Sequence, residues 1–106
     1  MRQKLIPDNI RTKVANVVEQ FNCKSDIEYI GRFQGKFLYL DRHEYEKKIP
    51  TCRLQYNGDF NDWGFAIFKW SSESYDSNEF LFPGSELVDG TIEGAMRAGI
   101  EAYSRR

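Results

Sequence analysis

The sequence has one histidine, two cysteines and three prolines, and no apolar run approaches the ~18 residues that a bilayer-spanning helix needs. Each scarcity narrows the field. Cys23 and Cys52 lie 29 positions apart, without the close spacing of a zinc ribbon or a redox pair, so two buried thiols are expected. His43 stands alone in a polar stretch, and the chain contains neither GxSxG nor HExxH. The leading residues MRQKLIPDNIRTK lack the apolar segment of a signal peptide. The expectation is a cytoplasmic protein with no membrane partner, no cofactor and no metal.

With 106 residues, of which 41% are hydrophobic and 15% aromatic, the chain can bury one sizeable core without disulfides or a metal, and residues 1–106 read as one small domain. Charge is unevenly spread. Residues 1–57 carry 11 basic against 7 acidic side chains, and residues 58–106 carry 4 against 9, although the whole chain is only −1.

Asp8 is placed to cap a helix in which Ile10, Val14, Val17, Val18 and Phe21 form one apolar stripe of about four turns. From Asp26 the period falls to two, and residues 26–42 read as a β-hairpin turning at Gln34-Gly35. HEYEKKIP reads as a loop. Cys52, Leu54 and Tyr56 then alternate with Arg53, Gln55 and Asn57 as a half-buried strand, and WGFAIFKW is apolar on both alternating sets. SSESYDSNE reads as a connection and NEFLF as a short last strand.

Thr91 is placed to cap a second helix with Ile92, Ala95, Met96, Gly99, Ala102 and Tyr103 facing inward. The small residues let this helix approach a sheet closely. The connections are too short for helical crossovers, so the sheet should be a mostly antiparallel meander of four or five strands. The expected class is α+β, with an N-terminal helix, the sheet and a C-terminal helix, both helices on one face.

Six constellations bear on function. His43 with Asp41, Glu44 and Cys52 gives a minor enzyme reading, in which neighbouring carboxylates orient an imidazole. Asp59, Asp62, Asp76 and Glu79 invite a metal test, but at the fifth and twelfth places of a calcium loop DFNDWG and its continuation supply Trp63 and Trp70, so solvated turn carboxylates are the better reading. GFAIFKW resembles the aromatic strand of RNA-recognition domains, yet Trp63 stands where that family has a basic residue and Ile67 where it has a stacking aromatic. The helix-first order is similar to that of double-stranded RNA-binding domains, but GTIEGAMRAG lacks their lysines. A basic patch from Lys36, Arg42, Lys47, Lys48 and Arg53 remains, and at a pI of 5.8 nucleic acid is not the favoured partner.

GDFNDW is similar to the loop of glycogen- and starch-binding modules, which implies a glycan site at Asp59, Asn61, Trp63 and Trp70, with indoles stacking on sugar rings. Turn chemistry alone accounts for the same residues, and those modules are all-β. The sixth constellation is the aromatic content itself. A meander with helices on one face leaves its other face open, and Phe37, Tyr39, Tyr56 and Phe68 are the candidate interface for a protein partner or a homodimer. A non-enzymatic binding domain working through that face is the favoured reading.

Overall fold

The computed structural model describes residues 5–25, 27–44, 46–69, 72–78 and 82–102. Helix α1 (Asp8–Lys24) leads into strands β1 (Glu28–Gln34), β2 (Phe37–Glu44), β3 (Lys47–Tyr56), β4 (Trp63–Lys69) and β5 (Ser74–Asp76), and a 3-10 turn at Ser85–Leu87 precedes helix α2 (Ile92–Ala102). The five strands form one antiparallel sheet in sequence order, β1-β2-β3-β4-β5. The expected α+β architecture is therefore the one observed.

The core lies between this sheet and the two helices. Ile10, Val14 and Val18 of α1 and Ile92, Ala95 and Met96 of α2 meet Tyr29, Leu38, Leu40, Cys52, Leu54, Tyr56 and Trp63 in one buried cluster. Register explains why these side chains share a face. Leu38 pairs with Leu54 and Leu54 with Phe65, while Leu40 pairs with Cys52 and Cys52 with Ile67. Pleating sends the alternate set, including Phe37, Tyr39, Arg53, Ala66 and Phe68, to the other side.

Four element boundaries depart from the sequence reading. Pro7, at φ −66, is the residue that caps α1, and Asp8 already belongs to its first turn, where its charge still meets the helix dipole. HEYEKKIP is not a loop, because β2 continues to Glu44 and β3 begins at Lys47, with Glu46 at φ 61 between them. A register shift lets β3 carry Pro50, because Asp41 pairs with Pro50 and Leu40 with Cys52, leaving Thr51 as the extra residue. The polar stretch after β4 contains β5, whose Tyr75 pairs with Phe68. Of the expected last strand NEFLF, residues 79–81 lie outside the described residues, and Phe82 is in a bend with its ring stacked on Phe65 at 5.8 Å.

Thr91 caps α2 as expected. Its Oγ1 accepts from the Gly94 amide at 3.0 Å and donates to Asp89 at 2.6 Å; that hydroxyl bond, with a second from the Thr91 amide at 3.0 Å, holds the Asp89 carboxyl below the usual carboxylate range. Tyr103, expected on the inner face of this helix, lies outside the described residues. Close approach is set by Gly99, where a Cβ would stand 2.5 Å from the Tyr29 hydroxyl and 2.7 Å from Thr51 Cγ2.

Gly99→Ala is therefore expected to destabilise the protein by about 1–3 kcal/mol, because overpacking against Tyr29 and Thr51 outweighs the helix propensity of ~1 kcal/mol that alanine adds. Urea unfolding of the variant against the parent measures the sign directly; a raised midpoint would show that the helix can move away from β1 and β3.

Candidate functional site

The residues singled out in the sequence fall at four places. The first is the β3–β4 turn. Asp59 accepts from the Asn61 amide at 2.8 Å, the Asp62 amide returns to the Asp59 carbonyl at 3.2 Å, and Gly58 sits at φ 102. These are the local bonds of a tight turn. Asp59 and Asn61 are exposed, but Trp63 is only 4% exposed. Its indole nitrogen donates to the Phe60 carbonyl at 2.6 Å, its amide donates to the Gly90 carbonyl at 2.9 Å, and its ring packs against Tyr56 at 5.2 Å. The turn thus brings Asp59 and Asn61 together at the surface while Trp63 points into the core, so the expected exposed indole face is not offered to a sugar. Trp70 lies outside the described residues.

The second place is the β2–β3 hairpin. His43 is exposed and its Nδ1 lies 3.2 Å from a Glu28 carboxylate oxygen. Cys52 is fully buried on the helix side of the sheet, and burial with the Asp41 charge pushes its thiol well up. His43 and Asp41 belong to the opposite face, by register with Lys48 and Pro50. The suggested His43, Asp41, Cys52 grouping is therefore divided by the sheet. Arg42, expected in a basic patch, is 3% exposed and ion-paired with Glu44. No group of three or more histidine, cysteine or acidic side chains among the described residues is arranged to hold a metal.

The third place is the interior, which claims Tyr56. It was expected at the interface with Phe37, Tyr39 and Phe68, but it has the parity of Cys52 and Leu54 and is 8% exposed beside Trp63. This is the correction that register makes. Phe37, Tyr39 and Phe68 do share the other face.

That face is the fourth place and the best-formed site. Arg53 lies with its guanidinium 4.4 Å from the Phe37 ring and 5.4 Å from the Tyr75 ring. Arg32 lies 4.5 Å from the ring of its strand partner Tyr39, and Lys36 lies 5.4 Å from Phe37. Tyr75 reaches across from β5 to meet Phe68 at 5.1 Å and Tyr39 at 5.4 Å, both edge to face. The result is one layer of alternating rings and cations, each pair contributing ~0.5–1 kcal/mol at a surface.

Asp41 lies in this layer, 7% exposed, 3.7 Å from Arg32. One of its carboxylate oxygens, Oδ1, is buried without a hydrogen-bond partner among the described residues. Burial first, and then the Asp41 charge, push the Tyr75 phenol up to about 12. Sequence reasoning missed Arg32 and Tyr75, since the first reads as one more polar strand position and the second sat in a stretch taken for a connection. No protein-family model, curated protein or solved structure matches the chain, so the site stands on its geometry.

Two outcomes follow. Trp63→Ala should cost about 3–5 kcal/mol of stability, as for a large core aromatic, with loss of cooperative unfolding in mild denaturant. A folded Trp63→Ala protein of parental stability would show that the indole is not core. Stability should also fall as pH rises from about 9, because the unfolded chain releases the Cys52 proton near 9.0 and the Tyr29 and Tyr75 protons near 10.0, whereas the fold holds all three. A urea midpoint unchanged between pH 8 and 11 would contradict that sign.

Proposed function

We propose that the protein is a small binding domain whose recognition surface is the sheet face opposite the helices, and that its partner is a protein segment rich in carboxylates. The observation that carries this reading is the stacked set Arg32–Tyr39 and Phe37–Arg53–Tyr75. The Arg53 guanidinium, seated over a ring, can present its donor fork to a carboxylate in two parallel bonds, and its ring contacts leave less side-chain entropy to be lost on binding. Tyrosine and arginine are also the residues on which interface energy concentrates.

Charge favours a different partner over a second copy. Arg32, Lys36, Lys48 and Arg53 put four cations on the face against the carboxylates of Asp41 and Glu28, so two such faces brought together would oppose like charges. The only large hydrophobic side chain strongly exposed among the described residues is Leu5, which precedes α1. An apolar self-association patch is thus not what this surface offers, and complementarity to an acidic segment is.

Fluorescence anisotropy with a labelled Asp- and Glu-rich dodecapeptide tests the reading. Saturable binding is expected, weakened about tenfold by Arg53→Gln, which corresponds to ~1.4 kcal/mol. A single-stranded oligonucleotide serves as the rival probe, because arginine and tyrosine planes also stack on bases. Tighter binding of the oligonucleotide would reassign the partner class. Undiminished peptide binding by an Arg32→Gln, Arg53→Gln double variant would remove the face from consideration.

A further inference from the structure

The edge of the sheet at β1 offers a second surface, distinct from the cationic face. Among the described residues β1 pairs only with β2, so one of its sides is an open edge. At the start of that edge the Asn22 side chain makes both main-chain bonds of Tyr29: its Oδ1 accepts from the Tyr29 amide at 2.8 Å and its Nδ2 donates to the Tyr29 carbonyl at 2.9 Å. This is what a neighbouring strand would do there. It also fixes the parity of the edge. Because the Tyr29 amide and carbonyl point away from β2, those of Gly31 and Phe33 point the same way.

Alongside these groups runs a groove of about 420 Å³ between the flank of α1 and β1. Val14, Ala15, Val18 and Phe33 give it an apolar wall, and Gly31 contributes no side chain to obstruct it. Glu19 and Glu28 also line it, and among the described residues no basic side chain does. Arg11, 5.2 Å from the Phe33 ring, lies near the end of the groove where α1 begins.

We propose that this edge accepts an extended segment of a partner protein in which apolar and basic residues alternate. The segment would lengthen the sheet by one strand, continuing the pattern that Asn22 begins and bonding to the main chain of Gly31 and Phe33. Period-two alternation turns every second side chain toward the Val14, Ala15 and Val18 wall. Glu19 and Glu28 select basic residues among the rest.

Amide hydrogen exchange tests this with a capped Lys-Val-Lys-Val-Lys-Val peptide as probe. In the free protein the Gly31 and Phe33 amides should exchange quickly while their neighbours Ile30 and Arg32, bonded to β2, are protected. Saturating peptide should slow Gly31 and Phe33 at least tenfold, and Glu19→Lys on the exposed side of α1 should weaken the peptide at least fivefold while leaving binding at the cationic face unchanged. Protection of Gly31 and Phe33 without peptide would overturn the proposal, and if that protection grew with protein concentration the edge would belong to a second copy. Equal slowing of the Gly31 and Phe33 amides by a Glu-Val-Glu-Val-Glu-Val peptide, or no loss in Glu19→Lys, would also overturn it.

Discussion

Tyr29 is the residue on which the two layers depend. Its phenol is buried and donates to the Met96 carbonyl of α2 at 2.8 Å, its ring meets Phe21 of α1 edge to face at 5.9 Å, and its main chain is bonded by Asn22. Burial drives the phenol far above its usual ionisation range, so the proton that makes the bond to Met96 is retained across ordinary pH. An interior hydroxyl without a partner costs ~1–3 kcal/mol, and the partner here comes from a helix 67 positions away in sequence. The absence of a side chain at Gly99 follows from the same contact, since the hydroxyl occupies the place a Cβ would take. One residue of an edge strand thus sets how both helices sit on the sheet.

With both helices committed to that side, the meander must finish its other face from its own side chains. Ala66 and Phe68 are nearly covered there, at 2% and 8% exposed, although no helix packs on that side among the described residues. Among the described residues, Tyr75 in β5, which meets the Phe68 ring, and Arg53, the strand partner of Ala66, supply cover. Aliphatic stems of arginine shield apolar surface while their charged ends stay in water, so a cationic surface arises as a by-product of covering a sheet. The same residues that close the fold are therefore the ones best placed to recognise an anion.

The helices, the meander and the single-sided packing were legible because period and connection length carry them. The amphipathic stripe Ile10, Val14, Val18 and the alternation of Cys52, Leu54 and Tyr56 each predict a face correctly. What failed was the combination of strands. Tyr56 was grouped with Phe37 and Tyr39 although its own alternation placed it with Cys52 and Leu54, and only the pairing of Tyr56 with Trp63 and of Phe37 with Gln55 shows which faces match. The stacking of Arg53 between Phe37 and Tyr75 was illegible for a further reason. It joins side chains from three strands, and no local pattern encodes register between strands. Pro50 hid the start of β3, because a proline is read as a breaker unless the register shift that accommodates it is known.

A net charge of −1 looks at first like an obstacle to an anion-binding face. The distribution removes it. Arg32, Lys36 and Arg53 come from the basic first half of the chain and share the sheet face, whereas Glu86, Asp89, Glu93 and Glu101, from the acidic second half, are exposed along α2 and the segment before it, with the sheet's core layer between. The molecule is 24 Å across in its thinnest direction, and at physiological ionic strength the field of an exposed charge decays over ~8 Å. A ligand approaching the sheet face therefore meets the nearby cations, while the exposed carboxylates beyond the core are distant and are screened by the solvent and salt around them. Local charge, and not the sum over the chain, decides which partner such a face attracts, and lowering the ionic strength, which lengthens that decay, would let the far carboxylates begin to oppose it.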